Sequence, residues 1–423
     1  MAKDKGILFL TVPPEYIPSR RRDPFGFADI ANYYSDLLAP GITNRNRDAR
    51  WLTILCWSLE QIGKDFRNND TDDYYNYLRG LELRWVMETC RVADEGKGRH
   101  LPGSRAVRRW LRNRAWSLQD QMGKDQWRRY RYVGPYASYR RLLQEIGLLD
   151  ADGWTPIGDG PKLAKLMRPN LRDNTNKATD GSWVDYWLRR WPEKEKPQIE
   201  LIPKSARSLR LTKAEIGLIE PLIFGDSIDG KRRRTIAKTM TKIKADNHAE
   251  MCLQIQRYLL RVSSSWPEEE RAKFAKLSTF ALMADAAVAA LQAAFMVAEE
   301  PISVRDVTKK VAAEIDALKE SVKNWKKDNV WTQADSFAVE IAKAKRNSDC
   351  LTSLVNLHIE RHSGLKWLIL QSDNIDRAVR YSTPPYGFYR FRLEALARMA
   401  VGCGVIEALP SPFIGETADG EDE

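Results

Sequence analysis

Apolar residues recur every three to four positions along most of the chain, which is the spacing of one buried face of an α-helix. In the segment 49–66, Leu52, Leu55, Cys56 and Leu59 follow this spacing. Alternation of apolar and polar residues, the pattern of a half-buried strand, is confined to short stretches. These stretches are Ile7–Val12, a hairpin near 148–156 and Lys366–Gln371. The pattern therefore predicts a mainly α protein.

Two stretches rich in turn-forming residues, 169–181 and 191–208, interrupt the helical pattern and are typical of linkers. They predict a multidomain helical protein with an N-terminal part (1–170), a basic middle region (171–265), a C-terminal helical domain (266–410) and an acidic tail (411–423). The helices predicted after the first are 72–93, 104–119, 182–191, 212–223, 231–243, 247–262, 267–298, 303–326, 332–346, 350–361 and 388–400.

One predicted helix has the length of a membrane span. In Thr279–Ala298 only Thr279, Asp285 and Gln292 are polar. Alanine dominates this stretch, however, and Asp285 inside a bilayer would cost up to about 3 kcal/mol. We therefore expect a helix buried between other helices and no association with a membrane.

Cysteine usage indicates a reducing compartment. The five cysteines are scattered and form no C-x-x-C pair, so neither a disulfide framework nor a structural zinc site is expected. The N-terminal sequence has a short apolar run and no convincing cleavage site for a secretory signal. We therefore expect a cytoplasmic protein.

The chain carries a formal net charge of +11 at pH 7. Five acids lie between Glu416 and Glu423, and without them the charge of +11 would be +16. Such an excess favours polyanionic partners and fast, electrostatically steered association. Fourteen tryptophans and fifteen tyrosines add flat rings that could stack on nucleic-acid bases.

Two segments concentrate the positive charge. Between Leu101 and Arg141 eleven bases accompany only two acids, Asp120 and Asp125. Most of these bases are arginines, whose guanidinium groups match the geometry of phosphate. The second segment, 231–244, begins with the run KRRR on a predicted helix with a narrow apolar stripe. Since solvated helix faces normally mix charges of both signs, these segments predict contacts with phosphates.

Residues 132–167 combine a helix starting at Pro135, the sequence Gly147-Leu148-Leu149, a tight hairpin containing Asp152-Gly153, and a following helix. This combination resembles the winged-helix modules of bacterial regulators. The resemblance implies that Tyr136, Ser138, Arg140 and Arg141 lie on a recognition helix for the major groove, and that Asp152 and Trp154 lie in the wing. The same pattern also fits a winged helix that contacts protein.

The segment 19–51 contains SR-x-x-DP-x-G, then L-x-PG-x-T-x-R-x-R and RW. It resembles the beginning of uncharacterised bacterial proteins from anti-phage defence gene clusters. The resemblance implies a bacterial protein that works beside helicases, nucleases or methyltransferases. The arginines of this segment, Arg45, Arg47 and Arg50, could bind phosphate or cap the end of the preceding helix.

Catalytic motifs are weak in this sequence. His358 and His362 stand four apart on a predicted helix, with Cys350 two turns upstream, but no third metal ligand is evident. A structural histidine pair is therefore expected, with no cofactor and no metal. The sequence contains no phosphate-binding GxxxxGK[ST] loop and no GxGxxG after a strand.

These patterns predict a subunit of a bacterial multi-protein assembly that binds nucleic acid, with DNA favoured over RNA. A nuclease with dispersed catalytic acids and a scaffold for acidic protein partners remain as alternatives. The predicted nucleic-acid-binding residues are Arg45, Arg47, Arg50, Arg105, Arg108, Arg109, Arg112, Arg128, Arg129, Arg131, Tyr136, Arg140, Arg141, Lys231, Arg232, Arg233, Arg234 and Lys238.

Overall fold

The computed structural model is mainly helical, as the apolar spacing predicted. It describes residues 23–65, 78, 82, 85–86, 134–171, 210–246, 250–251, 254–255, 268–327, 330–361, 366–378 and 392–413. The predicted strand at Ile7–Val12, the predicted helices at 104–119 and 182–191 and the acids from Glu416 onward lie outside these residues.

The helices are α1 (Ala28–Leu38), α2 (Arg50–Asp65), α3 (Pro135–Glu145), α4 (Gly160–Leu171), α5 (Lys213–Phe224), α6 (Ile228–Met240), α7 (Glu268–Val297), α8 (Val304–Lys310), α9 (Ala312–Asn324), α10 (Thr332–Lys343), α11 (Asn347–Arg361) and α12 (Leu393–Gly402). The strands are β1 (Ile302–Ser303), β2 (Leu368–Gln371) and β3 (Asn374–Arg377). A short 3₁₀ helix follows at Ser411–Phe413.

Two compact units make up the chain, and each is discontinuous in sequence. The first unit consists of residues 1–34 and 259–390, and the second of residues 35–258 and 391–423. The boundary between 34 and 35 falls inside α1. Residues near the N-terminus thus group with helices from the C-terminal half, while the four consecutive parts predicted from the sequence stay a prediction.

The first unit is built around α7, which packs against α8, α9 and α11. Phe25 and Phe27 insert into its core and contact the ring of Phe337 at 5.3 and 5.2 Å between centroids. The three strands form an antiparallel sheet in the order β1-β3-β2. Lys366–Gln371 was predicted as a strand, and β2 occupies its last four residues. The sequence pattern did not predict its partner β3, because a strand of four residues shows little alternation of apolar and polar positions.

The apolar part of α7 is the one segment, among the described residues, with the length and hydropathy of a membrane span. It covers Thr279–Val297, and more than half of it is buried inside the protein. Asp285 lies on the exposed side of the helix. Neighbouring side chains still shield its carboxyl group from part of the solvent, and this desolvation raises the pKa of that group. The packing of α7 on its neighbouring helices is that of a core helix.

The second unit has α2 at its centre. Every residue from Arg50 to Leu59 is buried, so this first part of the helix is enclosed on all sides. It packs against α3 and α4, and α6 packs against α5 and α12. Thr212 begins α5 with a capping box. The hydroxyl of Thr212 accepts from the backbone N–H of Glu215, and the carboxylate of Glu215 accepts from the backbone N–H of Thr212.

Candidate nucleic-acid interface

The KRRR run lies on helix α6, where its residues are divided between a buried inward face and an outward face. Ser227 begins the helix, its hydroxyl accepting from the backbone N–H of Gly230 at 3.0 Å. Arg232 and Arg233 stand four and three residues before the buried Ile236, so they share its face. Both arginines are buried, with 8% and 2% of their surface exposed.

The inward arginines of α6 bind backbone carbonyls of their own unit. Arg233 donates to the carbonyl of Pro40 at 3.1 and 2.7 Å and to that of Ile223 at 3.1 Å. Arg232 approaches the carbonyl of Leu37 at 3.5 Å. Burial lowers the pKa of Arg233, with acidic neighbours acting in the opposite direction. Arg232 and Arg233 were predicted to bind nucleic acid; they instead fasten the end of α1 to α6.

The outward face of α6 and the turn after it carry Lys231, Arg234, Lys238 and Lys242 at steps of three and four residues. We call these four residues the α6 basic stripe. Lys231 lies 3.8 Å from the fully exposed Asp226, and Arg234 pairs with Glu220. Lys238 and Lys242 are exposed and make no ion pair with any acid that the structure describes. These two lysines therefore present positive charge to solvent that no described acid compensates.

The segment that contains Arg45, Arg47 and Arg50 is fastened to α3. The amide of Asn46 donates to the carbonyl of Ser138 at 2.8 Å, and its oxygen accepts from the N–H of Thr43. The hydroxyl of Tyr139 donates to the carbonyl of Asp48 at 3.0 Å and accepts from the N–H of the same residue at 2.9 Å. The polar residues of this segment thus fix its backbone.

The three arginines of this segment have different environments. Arg45 is exposed. Arg47 is half-buried and lies 3.5 Å from Glu394. Arg50 is buried, with its Nε atom 2.8 Å from Glu215 and its Nη1 atom donating to the carbonyl of Arg210 at 2.6 Å. Arg50 was predicted to bind nucleic acid, and its enclosure removes it from any surface that phosphate could reach.

The segment 134–171 has a helix, a hairpin and a second helix in the predicted order, but its ladder consists of a single bridge between Leu149 and Pro156. The carboxylate of Asp150 accepts from the N–H groups of Trp154 and Thr155 at 2.9 and 3.1 Å. These bonds outweigh the effect of burial and lower the pKa of Asp150. Gly153 completes the turn at φ +77, where a side chain would also collide with Arg140.

The side chains predicted to lie on the recognition helix α3 have partners within the protein. Tyr136 is buried, its hydroxyl donates to the carbonyl of Gly153 at 2.6 Å, and its ring stacks on Trp154. Arg140 donates to the carbonyl of Asp152 at 2.7 Å. Because Tyr136 is enclosed, it cannot contact nucleic acid as predicted.

Arg141 is the most exposed arginine of α3, with 59% of its side chain accessible. It lies 3.3 Å from Asp36 and 3.9 Å from Glu145. Asp36 also pairs with Arg392, and Glu145 lies 3.7 Å from Arg233. The exposed side of α3 therefore carries charges of both signs.

Seven of the predicted residues lie outside the described part of the chain, and for them nucleic-acid binding stays a prediction. They are Arg105, Arg108, Arg109, Arg112, Arg128, Arg129 and Arg131.

His358 is buried in the first unit and both of its ring nitrogens have protein partners. Its Nδ1 atom lies 3.0 Å from the carbonyl of Pro24, and its Nε2 atom accepts from the backbone N–H of Trp367 at 2.9 Å. Since a carbonyl only accepts, the proton lies on Nδ1. This geometry leaves neither nitrogen for a metal. His362 lies outside the described residues.

Cys350, which stands two turns upstream of His358, is buried in the same helix, and burial raises the pKa of its thiol to about 11. No group of three potential metal ligands occurs among the residues that the structure describes.

Comparisons with known proteins give no relative for this chain: no family model matches its sequence, and no curated protein and no solved structure matches it either.

Proposed function

We propose that this protein binds nucleic acid, with DNA favoured over RNA, through the α6 basic stripe. The observation that carries the proposal is the separation of the KRRR helix into an inward pair of arginines and an outward row of cations. Segment 210–246, which contains α6, holds nine basic and five acidic residues, so this part of the second unit carries an excess of positive charge.

The spacing of the stripe suits a phosphate backbone. A helix rises about 1.5 Å per residue, so Lys231 and Lys238 are about 10 Å apart along its axis. Phosphates of one DNA strand advance about 3.4 Å along the duplex axis, so this span corresponds to about three phosphates. Because the exposed ion pair of Lys231 with Asp226 is worth little, phosphate can replace this acidic partner at low cost.

We further propose that the protein is a cytoplasmic subunit of a bacterial assembly, in keeping with the resemblance of its N-terminal segment to anti-phage defence proteins. The winged-helix-like segment 134–171 supports a contact with another subunit. Its exposed Arg141 lies between Asp36 and Glu145, and such mixed charge fits a polar protein surface better than a polyanion.

The test of nucleic-acid binding is the affinity of the full chain for duplex DNA as a function of salt. With about six phosphates neutralised, at most four of them by the stripe and the rest by other basic residues of the chain, log affinity against log salt should slope at about −5. The variant Lys231→Ala/Lys238→Ala/Lys242→Ala should flatten that slope by up to about three units. A matched control, Lys162→Ala/Lys165→Ala/Lys213→Ala, removes three exposed lysines of the same unit and should leave the slope near that of the wild type.

Two outcomes would replace the proposal with its alternatives. Cleavage of the DNA when magnesium is added would favour a nuclease. Absence of binding to any nucleic acid would favour a scaffold for protein partners.

The variant Arg140→Ala/Arg141→Ala tests the subunit contact. It should leave DNA affinity unchanged and weaken co-purification with a partner expressed from the same gene cluster. A loss of DNA affinity equal to that of the lysine variant would show that these arginines belong to the nucleic-acid surface.

A further inference from the structure

The chemistry of the α6 basic stripe decides what kind of nucleic acid it can take, provided that the proposed function holds. Reading a base sequence in the major groove depends on bidentate side chains, mainly arginine to guanine and asparagine or glutamine to adenine. The outward face of α6 contains one arginine, Arg234, and no asparagine or glutamine. Its other polar side chains belong to lysines and threonines.

Arg234 is already occupied. Its Nη2 atom pairs with Glu220, and its Nε atom donates to the carbonyl of Phe224. Both contacts use the edges of the guanidinium group that a guanine would need. The cations that remain without a partner among the described residues, Lys238 and Lys242, are compact charges on flexible stems, which bind phosphate without a required orientation.

Stacking on unpaired bases is also poorly supported around the stripe. Single-stranded nucleic acid is usually held by exposed aromatic side chains. In the described part of the second unit, Trp51, Trp57, Tyr139 and Phe224 are buried. Trp154 is partly exposed, but its ring is stacked on Tyr136. A rigid helix with cations and, in the described part of the second unit, no ring free for stacking on bases fits the regular backbone of a duplex.

We propose that the α6 basic stripe binds the phosphate backbone of double-stranded DNA without selecting its base sequence. The inward arginines support this role, because Arg233 ties α6 to the carbonyl of Pro40 and so holds the lysine row at fixed spacing. Specificity, where the assembly has any, then comes from another surface or another subunit.

The experiment compares four DNA probes of equal length with the full chain between 50 and 200 mM salt, a range over which phosphate-dominated affinities change steeply. Three probes are duplexes, one rich in A·T, one mixed and one rich in G·C, and the fourth is the single strand of the mixed duplex. The variant is Lys238→Ala/Lys242→Ala, and the matched control is Lys162→Ala/Lys165→Ala, all four residues being exposed. Unchanged thermal unfolding of both variants confirms that they fold.

The expected result is that the variant weakens binding to all three duplexes by the same factor and flattens each salt slope by about 1.8 units, or 0.9 per lost phosphate contact. Its effect on the single strand should be smaller. If the wild type prefers one duplex and this preference disappears in the variant, the stripe selects bases, and this inference alone is overturned. The same holds if the variant loses as much affinity for the single strand as for the duplexes, or more. Failure of the variant to change any affinity would overturn the proposed function with it.

Discussion

Arg50 and Glu215 form the most deeply buried ion pair of the described residues, with 1% and 0% of their side chains exposed. Burial lowers the pKa of Arg50, and the adjacent carboxylate acts in the opposite direction. Replacing one partner leaves an uncompensated charge in the core of the second unit. We therefore expect Glu215→Ala to lower the free energy of unfolding by about 3–5 kcal/mol.

Denaturant unfolding of Glu215→Ala, Arg50→Met and the double variant Arg50→Met/Glu215→Ala checks this expectation. The double variant should recover a large part of the lost stability, because it removes both charges at once. Losses that simply add in the double variant would show that the two side chains act independently.

The inward arginines could be predicted in part from their spacing. Arg232 and Arg233 fall on the face defined by Ile236 and Met240, and counting helical positions would have placed them there. The prediction that these two arginines bind phosphate rested on their charge and did not use their position on the helix. For Arg50 no such signal exists, because α2 is enclosed on all sides from Arg50 to Leu59 and the partner Glu215 lies 165 positions away in the chain.

At the scale of elements, the contact between segment 43–50 and α3 depends on the hydroxyl of Tyr139, which bonds to both the N–H and the carbonyl of Asp48. We expect Tyr139→Phe to cost about 1–3 kcal/mol, because it leaves two backbone groups without this partner. Thermal unfolding measures the loss, and hydrogen exchange at the N–H of Asp48 locates it. Unchanged exchange at that N–H would contradict a role for Tyr139 in holding the segment.

Periodicity predicted the long helices well and their interruptions poorly. The predicted helix 267–298 corresponds to α7 within one residue at each end. The predicted helix 303–326 is divided into α8 and α9 at Val311, whose backbone leaves the helical region at φ −115 and ψ 26. Val307, Val311, Ile315 and Leu318 keep one apolar face across the division, so the pattern could not reveal it.

At the scale of the whole molecule, buried thiols make stability depend on alkaline pH. Burial raises the pKa of Cys56 and of Cys403 to about 12, from an ordinary value of 9.0. Between these values the unfolded chain has lost protons that the folded chain keeps, so stability falls as pH rises. Stability from these thiols is complete below about pH 9 and is lost progressively above it.

Measuring the free energy of unfolding at pH 8, 9, 10 and 10.5 tests this dependence. In the Cys56→Ala variant the decline above pH 9 should be shallower by up to about 1.4 kcal/mol per pH unit, the contribution of one ionising group. If the free energy of unfolding of that variant falls with pH as steeply as that of the wild type, other groups cause the loss of stability above pH 9.

The acids between Glu416 and Glu423 offer a second test of the charge of the whole molecule, because their removal changes the net charge from +11 to +16. A tethered run of carboxylates competes with phosphate for the basic surfaces, and we expect its deletion to tighten DNA binding at low salt. The gain should shrink as salt rises, since at 1 M the screening length is only about 3 Å. A variant in which the same acids are changed to their amides keeps the length of the segment and should show the same gain. If deletion tightens binding and the amide variant does not, the segment acts by steric exclusion, and the electrostatic explanation fails.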